Sequence, residues 1–180
     1  NAVMETVGDL LDVPVELYVS LDLERIGVLN RTLGGISLTL SGDYSAYDPA
    51  MTAGAALTLS DAQAELYMNP SIVLPGDDCP ARMQRQREFM FAALEALKRE
   101  AKRDTEILNR LYDELDGVMV TNVRPARMLS EAAKAHGYAI AQPELLPGTE
   151  SVSDNGEKRF EPDAAQIRSW VLEAFYRQEQ

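Results

Sequence analysis

The stretch Arg82-Met83-Gln84-Arg85-Gln86-Arg87 is where residue type and spacing point most directly to chemistry. At about 3.6 residues per turn, a helix here puts Arg82, Arg85, Gln86 and Phe89 on one face. Guanidinium groups and an amide near a helix start suit an anion. Arginine forks match phosphate geometry, and a helix N-terminus adds partial positive charge. The same residues also fit a solvated helix face, where arginines are common. Met83, Met90, Leu94, Leu97 and Ala101 fall on a second face, about a quarter-turn away, and are expected to be core.

Other reactive side chains carry less. Asp77 and Asp78, just upstream, offer carboxylates for a cation or a proton. Asp43 and Asp48 lack EF-hand spacing and read as solvated loop acids. Cys79 has no histidine near it in sequence and reads as an inert loop thiol. His136, before Gly137, reads as a helix C-terminal residue favoured by the helix dipole. With one cysteine and one histidine in the chain, an internal disulfide and Cys/His metal sites are excluded.

The chain of 180 residues is long enough for one domain with a real core, and a single domain over 1–180 is expected. No run approaches the roughly 18–20 apolar residues of a membrane span. Residues 1–14 hold three acids and no base, unlike a signal peptide. The net charge of −12 is uneven: residues 1–80 carry twelve acids against Arg25 and Arg31, whereas seven bases fall between Arg82 and Arg103. Such an acidic chain is a poor nucleic-acid binder, but a local basic cluster still suits a phosphate.

These side chains need elements to position them. Residues 4–11 read as a short helix whose abrupt start points to a segment upstream. Residues 15–21 read as a buried strand. Asp22 is expected to cap a helix running to Asn30, ended by Gly34-Gly35. Residues 36–40 alternate as a strand, and 41–56 read as a loop. Ser60 caps a helix to about Met68, stopped by Asn69-Pro70. After a second loop at 71–80, a long helix is expected over 81–103 and another over 104–115. A strand over 118–123, a helix from Pro125 to His136 and a strand within 138–146 follow. Residues 148–160 read as a mobile loop. A last helix from Pro162 carries Ile167, Trp170, Val171, Ala174 and Phe175 on one face. Strands alternating with helices give an α/β layered class.

Taken in order, several segments resemble the LytR-CpsA-Psr (LCP) family. ETVGDLLDVPVELYVSLDLERI looks like that family's helix, strand and next helix, and TLGGISLTL like its Gly-Gly strand. LTLSDAQAELYM looks like the segment before the family's paired arginines, and ARMQRQREFM like its Arg-x-x-Arg-Gln helix. The likeness continues more weakly through VMVTNV and LLPG to FEPDAAQIRSWVLEAFYRQE.

The resemblance implies a layered α/β/α sandwich with a mixed central sheet, here without the first part of the family domain. It implies an apolar pocket for a polyprenyl tail, with phosphates at its mouth on arginines and usually with magnesium. The implied reaction moves a glycopolymer phosphate from a polyprenyl pyrophosphate carrier to a hydroxyl of peptidoglycan. Positive charge on the pyrophosphate oxygens and a base for the hydroxyl are what such a step requires. By position, Arg82 and Gln86 would contact donor phosphates, and Arg85 would serve there or in the fold. Val19, Leu21, Leu94, Leu97 and Trp170 are core, which in the family opens into the lipid pocket.

Three positions depart from the family pattern. Its two arginines after the helix ending in Leu66-Tyr67-Met68 are here Asn69 and Ser71, and the acid or amide before the motif arginine is Cys79. Asp77 or Asp78 stands close enough to substitute as cation ligand or base. These departures imply a fragment inactive by itself, from an extracytoplasmic parent held by an anchor outside this soluble chain. They equally fit a non-catalytic module binding polyprenyl phosphate or wall polymer. A regulatory envelope protein is the third reading, from the family's older label as transcriptional attenuators. The −12 charge and the lack of a helix-turn-helix pattern argue against direct DNA binding.

Overall fold

The computed structural model describes residues 2–69, 71–72, 79–128, 130, 146–153, 155–156 and 158–176. The chain divides into two compact units where one domain is expected: residues 19–143, and residues 1–18 with 144–180. In chain order the elements are α1 (Ala2–Leu11), β1 (Val19–Leu21), a 3-10 turn (Leu23–Arg25), α2 (Ile26–Thr32), β2 (Ser37–Thr39), β3 (Ala56–Thr58) and α3 (Asp61–Met68). They continue with α4 (Cys79–Ala101), α5 (Ile107–Glu114), β4 (Met119–Thr121), β5 (Gly148–Val152), β6 (Lys158–Pro162), α6 (Ala164–Val171) and a π-helical turn (Leu172–Tyr176). The α/β class holds. Among the described residues the strands pair as three antiparallel two-stranded ladders, β1 with β4, β2 with β3 and β5 with β6, rather than as one mixed sheet.

The unit of residues 19–143 holds the main core. Asp22 accepts the Glu24 amide and so caps the turn that feeds α2. Ile26, Leu29 and Leu33 of α2 are buried with Ile36, Leu40, Leu59, Ala64, Tyr67, Met68 and Phe89. At α3, Ser60 and Gln63 form a reciprocal capping box that satisfies two backbone donors. The strand β3 begins at Ala56, the last residue of the expected loop of 41–56. Its three residues are too few to show alternation, and Gly54, at φ 77°, turns the chain back beside β2. Loop acids do structural work here. Asp43 accepts the Ser45 amide, and Asp48 accepts the Ala50 amide and the Gln63 side chain. Those hydrogen bonds hold both carboxyls below their ordinary range.

Gly34 and Gly35 both have positive φ, 74° and 91°, between α2 and β2. A Cβ on Gly34 would meet nothing within 4 Å, whereas one on Gly35 would lie 2.6 Å from Thr58 Cγ2 in β3. Left-handed backbone costs an L-residue about 1–2 kcal/mol. Gly34→Ala should therefore destabilise by about that much, and Gly35→Ala by clearly more, because a clash is added. Chemical denaturation of both variants checks the ranking.

In the other unit, residues 148–152 and 158–160, expected within a loop, are strand. Glu150 pairs with Phe160, and the register runs from Gly148↔Pro162 to Val152↔Lys158. Both strands are mostly solvent-facing, so they lack the apolar alternation by which strands are recognised. The Phe160 ring packs over Gly148, leaving no room there for a Cβ. The last helix starts two residues later than expected, at Ala164, with Pro162 closing β6 instead. Asp163 is its cap, accepting the amides of Ala165 and Gln166. Ile167 and Val171 are buried, Trp170 is half-buried with its edge toward Phe175, and Ala174 and Phe175 are exposed. The predicted apolar face thus ends at Val171. Residues 125–128 are helical, while His136, Gly137 and the strand expected within 138–145 lie outside the described residues.

Candidate functional site

Helix α4 is the organising element, but its buried face is not the one expected. Arg85, Phe89, Ala93 and Ala96, at steps of four, four and three, form the core stripe. Met83, Met90 and Leu94, expected in the core, are 49%, 37% and 47% exposed. Leu97 and Ala101 pack against the core from its edge. The cause is physical: Arg85, on the face expected to meet an anion or solvent, donates to acceptors inside the fold, which fits its expected alternative role in the fold.

Arg85 is 1% exposed. Its guanidinium lies 5.7 Å from the centroid of the Tyr44 ring. Nη1 donates to Tyr44 Oη at 3.4 Å, and Nη2 donates to the Asn69 and Ile72 carbonyls at 3.1 and 3.5 Å. Gln86 Nε2 donates to the Met68 carbonyl at 3.3 Å. These carbonyls lie at and just beyond the end of α3, where helical geometry leaves acceptors without helical partners and concentrates negative potential. Tyr44 packs edge-on against Tyr67, with centroids 5.2 Å apart. Tyr67 Oη donates to Glu88 at 3.2 Å and lies 3.5 Å from Ser41 Oγ. Burial, with smaller contributions from Glu88 and Tyr44, pushes the Tyr67 phenol well above its usual range, so it stays a donor.

The other predicted site residues sit around this cluster. Arg82 and Gln86 are half-buried on α4. Asn69 caps α3, and its Oδ1 accepts the Ser71 amide at 2.8 Å. Cys79 is the first residue of α4. Asp77 and Asp78 lie outside the described residues. Among the described residues no three acidic, histidine or cysteine side chains gather to hold a metal ion. Sequence reasoning missed Tyr44, Tyr67 and Glu88. An aromatic in a stretch of Gly, Asp and Ser was the available signal for Tyr44.

Beside this polar end lies an apolar cavity of about 270 Å³. Val19 and Leu21 of β1, Met90, Leu94 and Leu97 of α4, and Leu108 and Leu111 of α5 are among its lining residues. Its volume is near the lower end of the roughly 300–1,000 Å³ usual for small-molecule sites. Arg82, Gln86, Met90 and Leu94 follow one another at four-residue steps, about 6 Å each along the axis. This slanted row on α4, turning about 40° at each step, passes from cation and amide to cavity wall. That polarity matches a ligand with a charged head and an apolar tail.

The chain's relatives can now be set beside this geometry. A family model, described as the LytR_cpsA_psr family, matches residues 1–173. B. subtilis TagV has a similar fold, with TM-score 0.72 and 19% identity over 94% of this chain and 68% of that one. B. subtilis TagU matches at TM-score 0.68 and 20% identity, over 98% of this chain and 72% of that one. TagT, solved bound to LIIa-WTA, matches at TM-score 0.71 and 16% identity, over 94% of this chain and 65% of that one. The chain therefore spans about two-thirds of the length of these structures. No curated protein sequence matches it.

Proposed function

The chain belongs to the LytR_cpsA_psr family, and from that premise we propose that it binds a polyprenyl-linked glycopolymer through its pyrophosphate and tail. The apolar cavity takes part of the polyprenyl chain. Arg82 and Gln86 take phosphate oxygens. The observation that carries this reading is the row on α4 that runs from Arg82 through Gln86 and Met90 to Leu94. A LIIa-WTA ligand on TagT, a chain of the same fold, supports the ligand class.

In the parent protein the expected step is transfer to peptidoglycan, outside the cytoplasm. A peptidoglycan hydroxyl attacks the phosphorus that bears the glycopolymer. The bond from that phosphorus to the bridging oxygen breaks, and polyprenyl monophosphate leaves. Arg82 and Gln86 hold the oxygens on which negative charge gathers. The hydroxyl proton needs a base, for which Asp77 and Asp78 are the candidates by sequence. Magnesium is expected by resemblance to the family; Asp77 and Asp78, the candidate ligands by sequence, lie outside the described residues, among which no three acidic, histidine or cysteine side chains gather. No helix among the described residues is long and apolar enough to cross a membrane.

A second reading is a binding module without transfer activity. It is favoured by Asn69, whose side chain is committed to the Ser71 amide where the family places cations. Both readings share the same binding test. Affinity for farnesyl pyrophosphate and for inorganic pyrophosphate is measured on this chain and on Arg82→Ala. Losing one charge-assisted hydrogen bond costs about 1.5–3 kcal/mol, which is roughly 10–100-fold in affinity for both probes. Equal affinities in the two proteins, or binding in neither, would sink the proposal. Transfer to added peptidoglycan then separates the catalytic reading from the binding module.

A further inference from the structure

Within one turn of α4, Arg85 and Gln86 bind the carbonyls of Met68, Asn69 and Ile72. The two consecutive residues do so from different depths. Gln86 is half-buried at the edge, while Arg85 is buried under the Tyr44 ring. The segment they grip carries its own local bonds. The Ile72 amide donates to the Asn69 carbonyl at 3.3 Å, the Ser71 amide to Asn69 Oδ1 at 2.8 Å, and the Asn69 amide to the Leu66 carbonyl at 3.3 Å. Two of these bonds, at 3.3 Å, are at the long end for an N–H···O bond.

We infer that Arg85 is a positioning residue, which clamps Asn69 and Ile72 to α4 and takes no anionic ligand itself. The inference rests on the reading of Arg82 and Gln86 as phosphate contacts. A planar guanidinium can meet two carbonyls and a phenol oxygen at once, because its donors are fixed in a fork. Swinging it toward a phosphate would remove its donation to the Ile72 carbonyl, leave the Asn69 carbonyl with only the long bond from the Ile72 amide, and open the Tyr44 contact. The two arginines of the motif therefore divide the work. Arg82 meets the ligand, and Arg85 fixes the backbone beside it.

Amide hydrogen exchange at residues 69, 71 and 72, measured on the ligand-free full chain, tests this. Arg85→Met should speed exchange there by about tenfold or more, because the clamp is lost while the apolar volume is kept. Arg85→Lys should not restore protection, since a point charge cannot span the fork's acceptors. Farnesyl pyrophosphate binding should weaken in both variants. Unchanged exchange, with affinity lost in Arg85→Met and recovered in Arg85→Lys, would make Arg85 a ligand contact and overturn the inference. Should Arg85→Met fail to fold, Tyr44→Phe is the second arm. Losing the phenol oxygen should raise exchange at these amides about threefold, and no change there would also overturn the clamp. Exchange needs no ligand, so a wild-type chain that fails to bind the probe defeats the phosphate reading and leaves the clamp to be decided separately.

Discussion

Replacing Asn30 with alanine should lower stability by about 3 kcal/mol or more, among the largest effects of any single polar substitution in this chain. Asn30 is 1% exposed at the end of α2. Its Oδ1 accepts the buried Ile36 amide at 2.8 Å. Its Nδ2 donates to the Leu59 carbonyl at 2.9 Å and to Asp61 Oδ1 at 3.0 Å. Its own carbonyl accepts the Gly35 amide at 2.9 Å. One amide side chain thus ties α2 to the entry of β2, the exit of β3 and the start of α3. Alanine leaves a buried donor at Ile36 and a buried acceptor at Leu59, each costing about 1–3 kcal/mol when unmet.

Asn30→Asp separates the two halves of this bond set. Aspartate still accepts the Ile36 amide, but when ionised it has nothing to donate to Leu59 and it faces Asp61. It should therefore be nearly as damaging as alanine at neutral pH. Acid should relieve part of the loss, because a protonated carboxyl regains one donor. Denaturant midpoints at neutral and acid pH give the test. Wild-type-like stability of Asn30→Ala would show that Ile36 and Leu59 find other partners.

How much of this was legible in the sequence depended on how local the cause was. The start of α3 was readable because Ser60 and Gln63 cap it from within the same turn. Asp22 was readable as a cap for the same reason. Asn30 was not, since the acceptors of its Nδ2 lie 29 and 31 residues away, and its nearer bonds to the Gly35 and Ile36 amides are made only once β2 is placed. The β5–β6 hairpin was missed because solvent-facing strands carry no apolar period. The family resemblance, by contrast, was readable from the order of short segments, and the matching family model covers residues 1–173.

The phase of α4 shows the same limit at the site itself. The motif Arg82, Arg85, Gln86 was legible, as was the existence of two faces. Which face met the core was not, because hydrophobicity ranks Met83, Met90 and Leu94 above Arg85 for burial. The end of α3 reverses that order by presenting carbonyls that only a donor can satisfy. With Arg85 turned inward, the methionine and leucine positions turn toward the cavity or solvent. The buried arginine and the apolar cavity are consequences of one rotation of the helix. A core-facing Met90 and Leu94 would take two of the four α4 residues from the cavity wall and turn Arg85 away from the end of α3.

That coupling sets the second large effect. The double variant Met90→Gln/Leu94→Asn should lose about 100-fold in affinity for farnesyl pyrophosphate while keeping its affinity for inorganic pyrophosphate. The replacements are close in size and uncharged, so neither steering nor the phosphate end is altered. Each puts an amide against apolar walls made by Val19, Leu21, Leu108 and Leu111. While the cavity is wet, the amides bond water. A polyprenyl tail displaces that water and leaves them unmet, at about 1–3 kcal/mol each. Both positions are already exposed by more than a third, so the fold loses little. Met83→Gln is the matched control. Met83 is 49% exposed on the same helix but is not part of the cavity wall, so its amide should leave affinity unchanged. Equal losses in the double variant and in Met83→Gln would mean that general surface hydrophobicity, not the cavity, holds the tail. Loss of inorganic pyrophosphate binding in the double variant would instead show that the head and tail ends of α4 are not separable.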